Sequence, residues 1–223
     1  DELRPAMTGV FFEIAGKEVR AVSTDGHRLV RIINTGINTG NAKRDIIVPA
    51  KAMQSVAKAV TDGECKITLD DKHALFSFGT TTITTRLIEE KYPNYESVIP
   101  SDNNKELRLN TGDFLASIRR TSLYASSATH QVRLSLSKNG LVVSAEDADF
   151  GSEAKETLKC EYSSDAMEIG FNSGYLVDVM NHVETEEATI HLSNATRAII
   201  IQPAKQQDRE SIVMLVMPVR LSS

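Results

Sequence analysis

The sequence predicts an α+β protein of two related domains, each an antiparallel sheet with short amphipathic helices, and three observations support this. Short strand-like runs fill most of the chain, three segments carry a helical period, and one succession of elements occurs twice. The runs fall at 10–14, 19–22, 28–33, 66–69, 74–78 and 82–88, then at 132–136, 141–144, 156–161, 168–171, 189–192, 198–201 and 211–219. They are rich in Val, Ile, Leu and Thr, which suit a pleated, half-buried surface. After Pro49, a favourable first helical residue, Met53, Val56, Ala57 and Val60 fall at helical spacing, and Asp62-Gly63 stops the run. Thr111 caps a second helix whose Phe114, Leu115, Ile118, Ser122 and Ala125 share a side. Ser173 caps a third, striped by Tyr175, Leu176, Val179, Met180 and Val183.

The repeat organises these elements. "IIVPAKAMQSVAKAV…CKITLDDKHALFSF" parallels "MEIGFNSGYLVDVM…ATIHLSNATRAIII" as strand, capped helix, strand, polar turn and strand. The offset is roughly 120 residues, too long for a solenoid unit. "KYPNYESVIPSDNNKE", with two prolines and a polar tail, reads as the connection, so the expected domains are 1–97 and 98–223. The second copy has a strand and helix at 106–125 that the first lacks, and the chain has no initiator Met. The expectation is a piece of a longer protein, with a strand and helix missing from the front of its first domain.

Composition excludes several classes. With Trp absent and 5% aromatic residues, the core is expected to be aliphatic. No apolar run approaches the roughly 20 residues that span a bilayer, and "DELRPAMTGV" is charged rather than signal-like, so a cytoplasmic protein without membrane attachment is expected. Cys65 and Cys160 lack metal or disulfide spacing and read as reduced core residues. A net charge of −5 argues against broad nucleic-acid affinity, leaving room for a local basic face.

One stretch asks for more than a fold. In "AVSTDGHRLVRI" an Asp-Gly pair makes a hairpin turn, which accounts for Asp25 and Gly26. Thr24, His27, Arg28 and Leu29 put a hydroxyl, an imidazole, a guanidinium and an apolar group beside it, and turn formation requires none of them. An enzyme pairing His27 with Asp25 fails on geometry, because adjacent turn residues seldom converge on one atom and no nucleophile or oxyanion motif accompanies them. Glu146, Asp147 and Asp149 in "AEDADF" read as solvated turn charges, and His27, His73, His130, His182 and His191 show no metal spacing. No catalytic residue, metal site or cofactor is expected. A β-rich peptide-binding or adhesion module without DNA function is the alternative, disfavoured by the missing signal peptide, the missing Trp and the reduced cysteines.

"RPAMTGVFFEI", "STDGHRLV", "IVPAKAM", "YPNYESVIP", "MEIGFNSGYLVDVM" and "VMPVRL" together resemble the bacterial DNA polymerase III beta subunits, the sliding-clamp family, over essentially the whole chain. The resemblance implies the DNA clamp fold, with sheets outside and helices lining an inner face. It implies a non-catalytic processivity factor that encircles duplex DNA as a head-to-tail homodimeric ring and binds without sequence preference. Replicative and repair polymerases and the clamp loader would be its partners, and this fragment would be a monomer. Partner peptides would enter a groove comprising Met7, Thr24, Gly26, His27, Arg28, Leu29, Pro93, Val98, Thr196, Leu215, Val216, Met217, Pro218, Val219, Arg220 and Leu221. Ser97 stands where many members carry Arg, Ala198 where a hydroxyl is common, and Ser222 and Ser223 extend past the usual end.

Arg4, Lys51, Lys58 and Arg120 would face DNA; the last three also lie opposite the apolar stripes of their helices. Asp178 and Glu184 make the third helix acidic instead. Leu123 and Tyr124 fall off the stripe of the second helix, and the resemblance places them at the subunit contact with Glu153, Lys155 and Glu156.

Overall fold

A computed structural model of the chain describes residues 3–40, 42–61, 63–138 and 140–221. Asp62, expected to stop the first helix, and Ser222 and Ser223, expected past the usual end, lie outside the described residues. The chain forms two compact units. One takes in the chain up to Asp25, Val30–Tyr95 and Asp208–Ser211; the other takes in Gly26–Leu29, Glu96–Gln207 and the chain from Ile212 onward.

The first unit contains β1 (Gly9–Ala15), β2 (Glu18–Thr24), β3 (Arg28–Asn34), β4 (Lys43–Pro49), α1 (Ala50–Ala59), β5 (Lys66–Leu69), β6 (His73–Phe78) and β7 (Thr81–Arg86). The first two residues of β3 group with the second unit. Its strands lie in the orders β3-β2-β1-β4 and β5-β6-β7. Ile46, Val48, Val56, Ala74, Phe76, Phe78 and Leu87 form the buried core, against which Ala52, Met53 and Val60 pack. Ala57 is exposed, so the helix buries Ala52 in its place, and Pro49 is the N-cap rather than the first helical residue. β7 ends at Arg86, short of the expected 88, because Leu87 N–H donates to Lys72 O and Ile88 N–H to Ile47 O. Phe11 stacks on Tyr92 at 4.7 Å, and burial pushes the Tyr92 hydroxyl up to about 12.

The second unit contains β8 (Lys105–Asn110), α2 (Thr111–Thr121), a 3₁₀ turn (Ser122–Tyr124), β9 (Gln131–Ser137), β10 (Gly140–Asp147), β11 (Ser152–Lys159), β12 (Glu161–Tyr162), β13 (Met167–Asn172), α3 (Ser173–Met180), β14 (Glu187–Leu192), β15 (Ile199–Pro203) and β16 (Glu210–Val216). The first two residues of β16 group with the first unit. Strand orders are β12-β8-β14-β15-β16 and β11-β10-β9-β13. The run expected at 156–161 is two strands, since the chain leaves β10 after Lys159 and pairs with β8 from Glu161. The helices α2 and α3 pack on one another, burying Phe114, Ile118, Leu176 and Met180.

The caps sit one residue earlier than expected. Asn110 Oδ1 accepts from Asp113 N–H at 2.9 Å, and Asn172 Oδ1 accepts from Gly174 N–H at 2.9 Å. Thr111 and Ser173 are instead the first helical residues, both buried. The face of α2 that is buried comprises Phe114, Ser117, Ile118 and Thr121; α2 ends at Thr121, so Ser122 and Ala125 are not on its stripe. Among the described residues, no helix is long and apolar enough to cross a membrane.

Candidate functional site

Within the second unit, the turn Gly26–Leu29 and the segment after β16 are joined by backbone: Met217 N–H donates to His27 O at 2.8 Å. Two residues on, Val219 N–H donates to Gly170 O at 2.9 Å, so alternate amides of an extended tail are held by the turn and by β13. Extended geometry makes this possible, because alternate groups point the same way along a strand. Pro218 lies between the two bonded residues and has no N–H to leave unsatisfied.

Side chains of α3 complete the cluster. Asn172 caps the helix at Gly174 and Tyr175, which fixes where the first turn starts. The Tyr175 ring stacks on His27, with centroids 5.6 Å apart and planes 16° from parallel. The Arg28 guanidinium lies 5.1 Å from the same ring's centroid, and its Nη1 is 2.6 Å from Asp178 Oδ2. The Tyr175 ring thus has an aromatic and a cationic neighbour, while Asp178, one turn later on the helix, anchors the arginine. His182 Nδ1 lies 2.8 Å from Asp178 O.

The expected groove residues divide by burial. Leu29, Leu215 and Val216 are 3%, 2% and 0% exposed, so they belong to the packed interior and do not line an open pocket. Met217 and Val98 are the exposed apolar groups, at 39% and 53%. Pro218, Val219 and Leu221 are half-buried, and Gly26, His27, Thr196 and Arg220 are exposed. Thr196 is held in a local turn, its N–H and hydroxyl both donating to Asn194 Oδ1 at 3.0 Å. Met7, Thr24 and Pro93 belong to the first unit: Met7 on a 3₁₀ turn, Thr24 closing β2 and Pro93 exposed beside buried Tyr92. Tyr175 and Asp178 escaped the sequence reading as site residues because each had a sufficient local explanation, one in the apolar stripe and one on an acidic helix surface.

The charged residues assigned to other surfaces are also placed. Lys51 and Lys58 are exposed on α1, two turns apart on one side, and Arg4 is exposed at the start of the 3₁₀ turn Pro5–Thr8. Arg120 is exposed but not a lone cation: its Nε and Nη2 donate to the two Glu156 carboxylate oxygens at 2.7 and 2.6 Å. Two residues read as belonging to different surfaces are therefore one fork-to-fork pair, and the guanidinium holds the Glu156 carboxyl below its ordinary value. Lys155 likewise lowers the Glu153 carboxyl from 2.8 Å away. Leu123 is 81% exposed and Tyr124 45%. Phe150, on the turn between β10 and β11, is 83% exposed. Among the described residues, no group of three or more His, Cys, Asp or Glu side chains could hold a metal ion.

Comparison with known proteins covers both units. Residues 1–94 match the model of the DNA polymerase III beta subunit central domain, and residues 96–220 match that of its C-terminal domain. The chain is 31% identical over 222 residues to the beta sliding clamp of Pseudomonas aeruginosa and 29% identical to that of Escherichia coli. It covers 99% of its own length in each case and spans 59% of the length of these curated relatives. A crystal structure of the P. aeruginosa DNA polymerase sliding clamp superposes with a TM-score of 0.92 at 30% identity, covering 98% of this chain and 60% of that one. A DnaN sliding clamp from Bartonella birtlesii bound to griselimycin gives 0.91 at 29% identity, covering 99% and 60%.

Proposed function

Since the chain belongs to the DNA polymerase III beta subunit family, we propose that it serves as part of a sliding clamp, a cytoplasmic processivity factor of the bacterial replicase. Two clamp domains in family order, matched over residues 1–94 and 96–220, carry this reading. In it the protein has no catalytic step. It encircles duplex DNA as a homodimeric ring, binds phosphates without reading bases, and tethers polymerases and the clamp loader through short peptides.

The peptide groove is the part of this function that the chain itself supports. Its second-unit wall combines an adaptable thioether at Met217, apolar neighbours at Val98, Val219 and Leu221, and the polar rim of His27, Arg28 and Tyr175. That mixture suits an extended peptide bearing a polar residue followed by aliphatic and aromatic ones. Met7, Thr24 and Pro93 are proposed for the same groove on family grounds. Leu123, Tyr124, Glu153, Lys155 and Glu156 are proposed for the subunit contact, where the exposure of Leu123 supports an apolar contact outside its own core. The chain alone, in this reading, is a monomer.

Fluorescence anisotropy with a labelled peptide containing Gln followed by aliphatic and aromatic residues tests the groove. Removal of Met217 and everything after it takes away one wall and should abolish binding while circular dichroism shows a folded protein. Unchanged affinity in that deletion would sink the groove assignment.

A further inference from the structure

We propose that Gly170 is a positioning residue of the peptide groove: the absence of a side chain at this point of β13 is what lets the C-terminal wall seat. The inference rests on the groove reading above. By the two-residue alternation of a strand, Gly170 shares a face with Glu168, which is exposed and engages Arg133 and Ser135. Gly170 is nevertheless buried, and the tail covers it. Val219 bridges to it, and Leu221 lies over it.

A Cβ at this position would stand 2.7 Å from Leu221 Cδ2 and 3.0 Å from the Val219 carbonyl oxygen. Carbon atoms rest at about 3.5–4.0 Å, so even a methyl group makes the Leu221 side chain turn aside and the Val219 carbonyl shift away from its seat. The backbone of Gly170 is outside the left-handed region, so an alanine could adopt it. Close approach of another backbone is the remaining reason for glycine here. Seating matters because, among the described residues, the tail beyond β16 is anchored through its backbone at Met217 to His27 and at Val219 to Gly170. Loss of the second leaves Val219 and Leu221 without a fixed position, and a wall that swings must be ordered anew by each peptide it binds.

The experiment uses the 223-residue chain with Gly170→Ala, Leu221→Ala, the double variant and Val219→Pro. Amide exchange at Val219 is followed by NMR, and affinity for the labelled Gln-aliphatic-aromatic peptide by anisotropy. Gly170→Ala should speed Val219 exchange and weaken the peptide about tenfold, the scale of one lost hydrogen bond, with the thermal midpoint little changed. The double variant should regain part of the Val219 protection, because the shortest clash is with the Leu221 side chain. Wild-type exchange and affinity in Gly170→Ala overturn the proposal. If that variant does not fold, Val219→Pro removes the same donor without touching β13; it should weaken the peptide similarly, and full affinity in it is equally fatal. A wild-type chain that fails to bind the peptide, beside a Gly170→Ala chain whose Val219 amide opens, keeps the seating role and rejects the groove.

Discussion

At the scale of single residues, Leu29 and Met217 show how differently two apolar positions of one proposed groove respond to charge. Leu29 is 3% exposed and Met217 39%. Leu29→Lys must bury an ammonium or expel β3 from its packing, and loss of the buried leucine alone costs about 2–5 kcal/mol. We expect this variant to unfold or melt far below wild type in thermal denaturation. Met217→Glu places its charge in water, so the melting temperature should hold while peptide affinity falls. A stable Leu29→Lys chain would mean that this position is open to solvent. The sequence made Leu29 and Met217 look alike because adjacency to a motif carries no information about depth. Tyr175 shows the converse: its partners His27 and Arg28 are nearly 150 residues away, and only the fold brings them to its ring.

At the scale of elements, the two N-caps allow a paired measurement. Asn110 and Asn172 each satisfy amides at the start of their helices, and Asn→Ala at either should cost about 1 kcal/mol in urea denaturation. Thr111→Val and Ser173→Ala should not reproduce that loss through capping, since neither hydroxyl caps. Helix location was readable from the apolar period of the sequence, but the cap was not, because Asn-Thr and Asn-Ser each offer two competent capping residues in succession. Strand ends were blurred for a similar reason: Cys160 separates two runs of strand-forming residues whose partners differ, and propensity cannot see partners.

The edge strand β11 also has a pH signature. Glu156 is held below its ordinary 4.5 by Arg120, so the pair contributes fully above that value and is lost as pH falls through the lowered one. An NMR titration should find the Glu156 carboxyl midpoint below 4.5 in the wild type and nearer to it in Arg120→Ala. Equal midpoints would show that the fork does not form in solution.

At the scale of the whole chain, the repeat was the most legible feature. Strand, helix, strand and strand recur as β4, α1, β5, β6 and as β13, α3, β14, β15. A duplicated pattern can be read without knowing any contact, since both copies obey the same burial periods. Grouping Gly26–Leu29 with the second unit could not be read in that way, since in sequence those residues lie inside a hairpin of the first. In the proposed clamp, the chain alone should bind linear duplex weakly and without sequence preference. A tight, sequence-dependent gel shift at physiological salt would contradict that reading.

The Arg120–Glu156 fork has a consequence for ion stoichiometry. Each phosphate neutralised by a protein cation releases condensed counterions and steepens the fall of log K with log salt by about 0.9. A guanidinium already matched by its own carboxylate releases little unless the fork first opens, so Arg120 should be nearly silent in that slope while Lys51 and Lys58 count fully. Glu156→Gln frees the guanidinium, and the slope measured on linear duplex should then grow by close to one ion. In the proposed clamp, the acidic partner of this pair serves as an internal counterion, setting how many external ions a DNA encounter displaces.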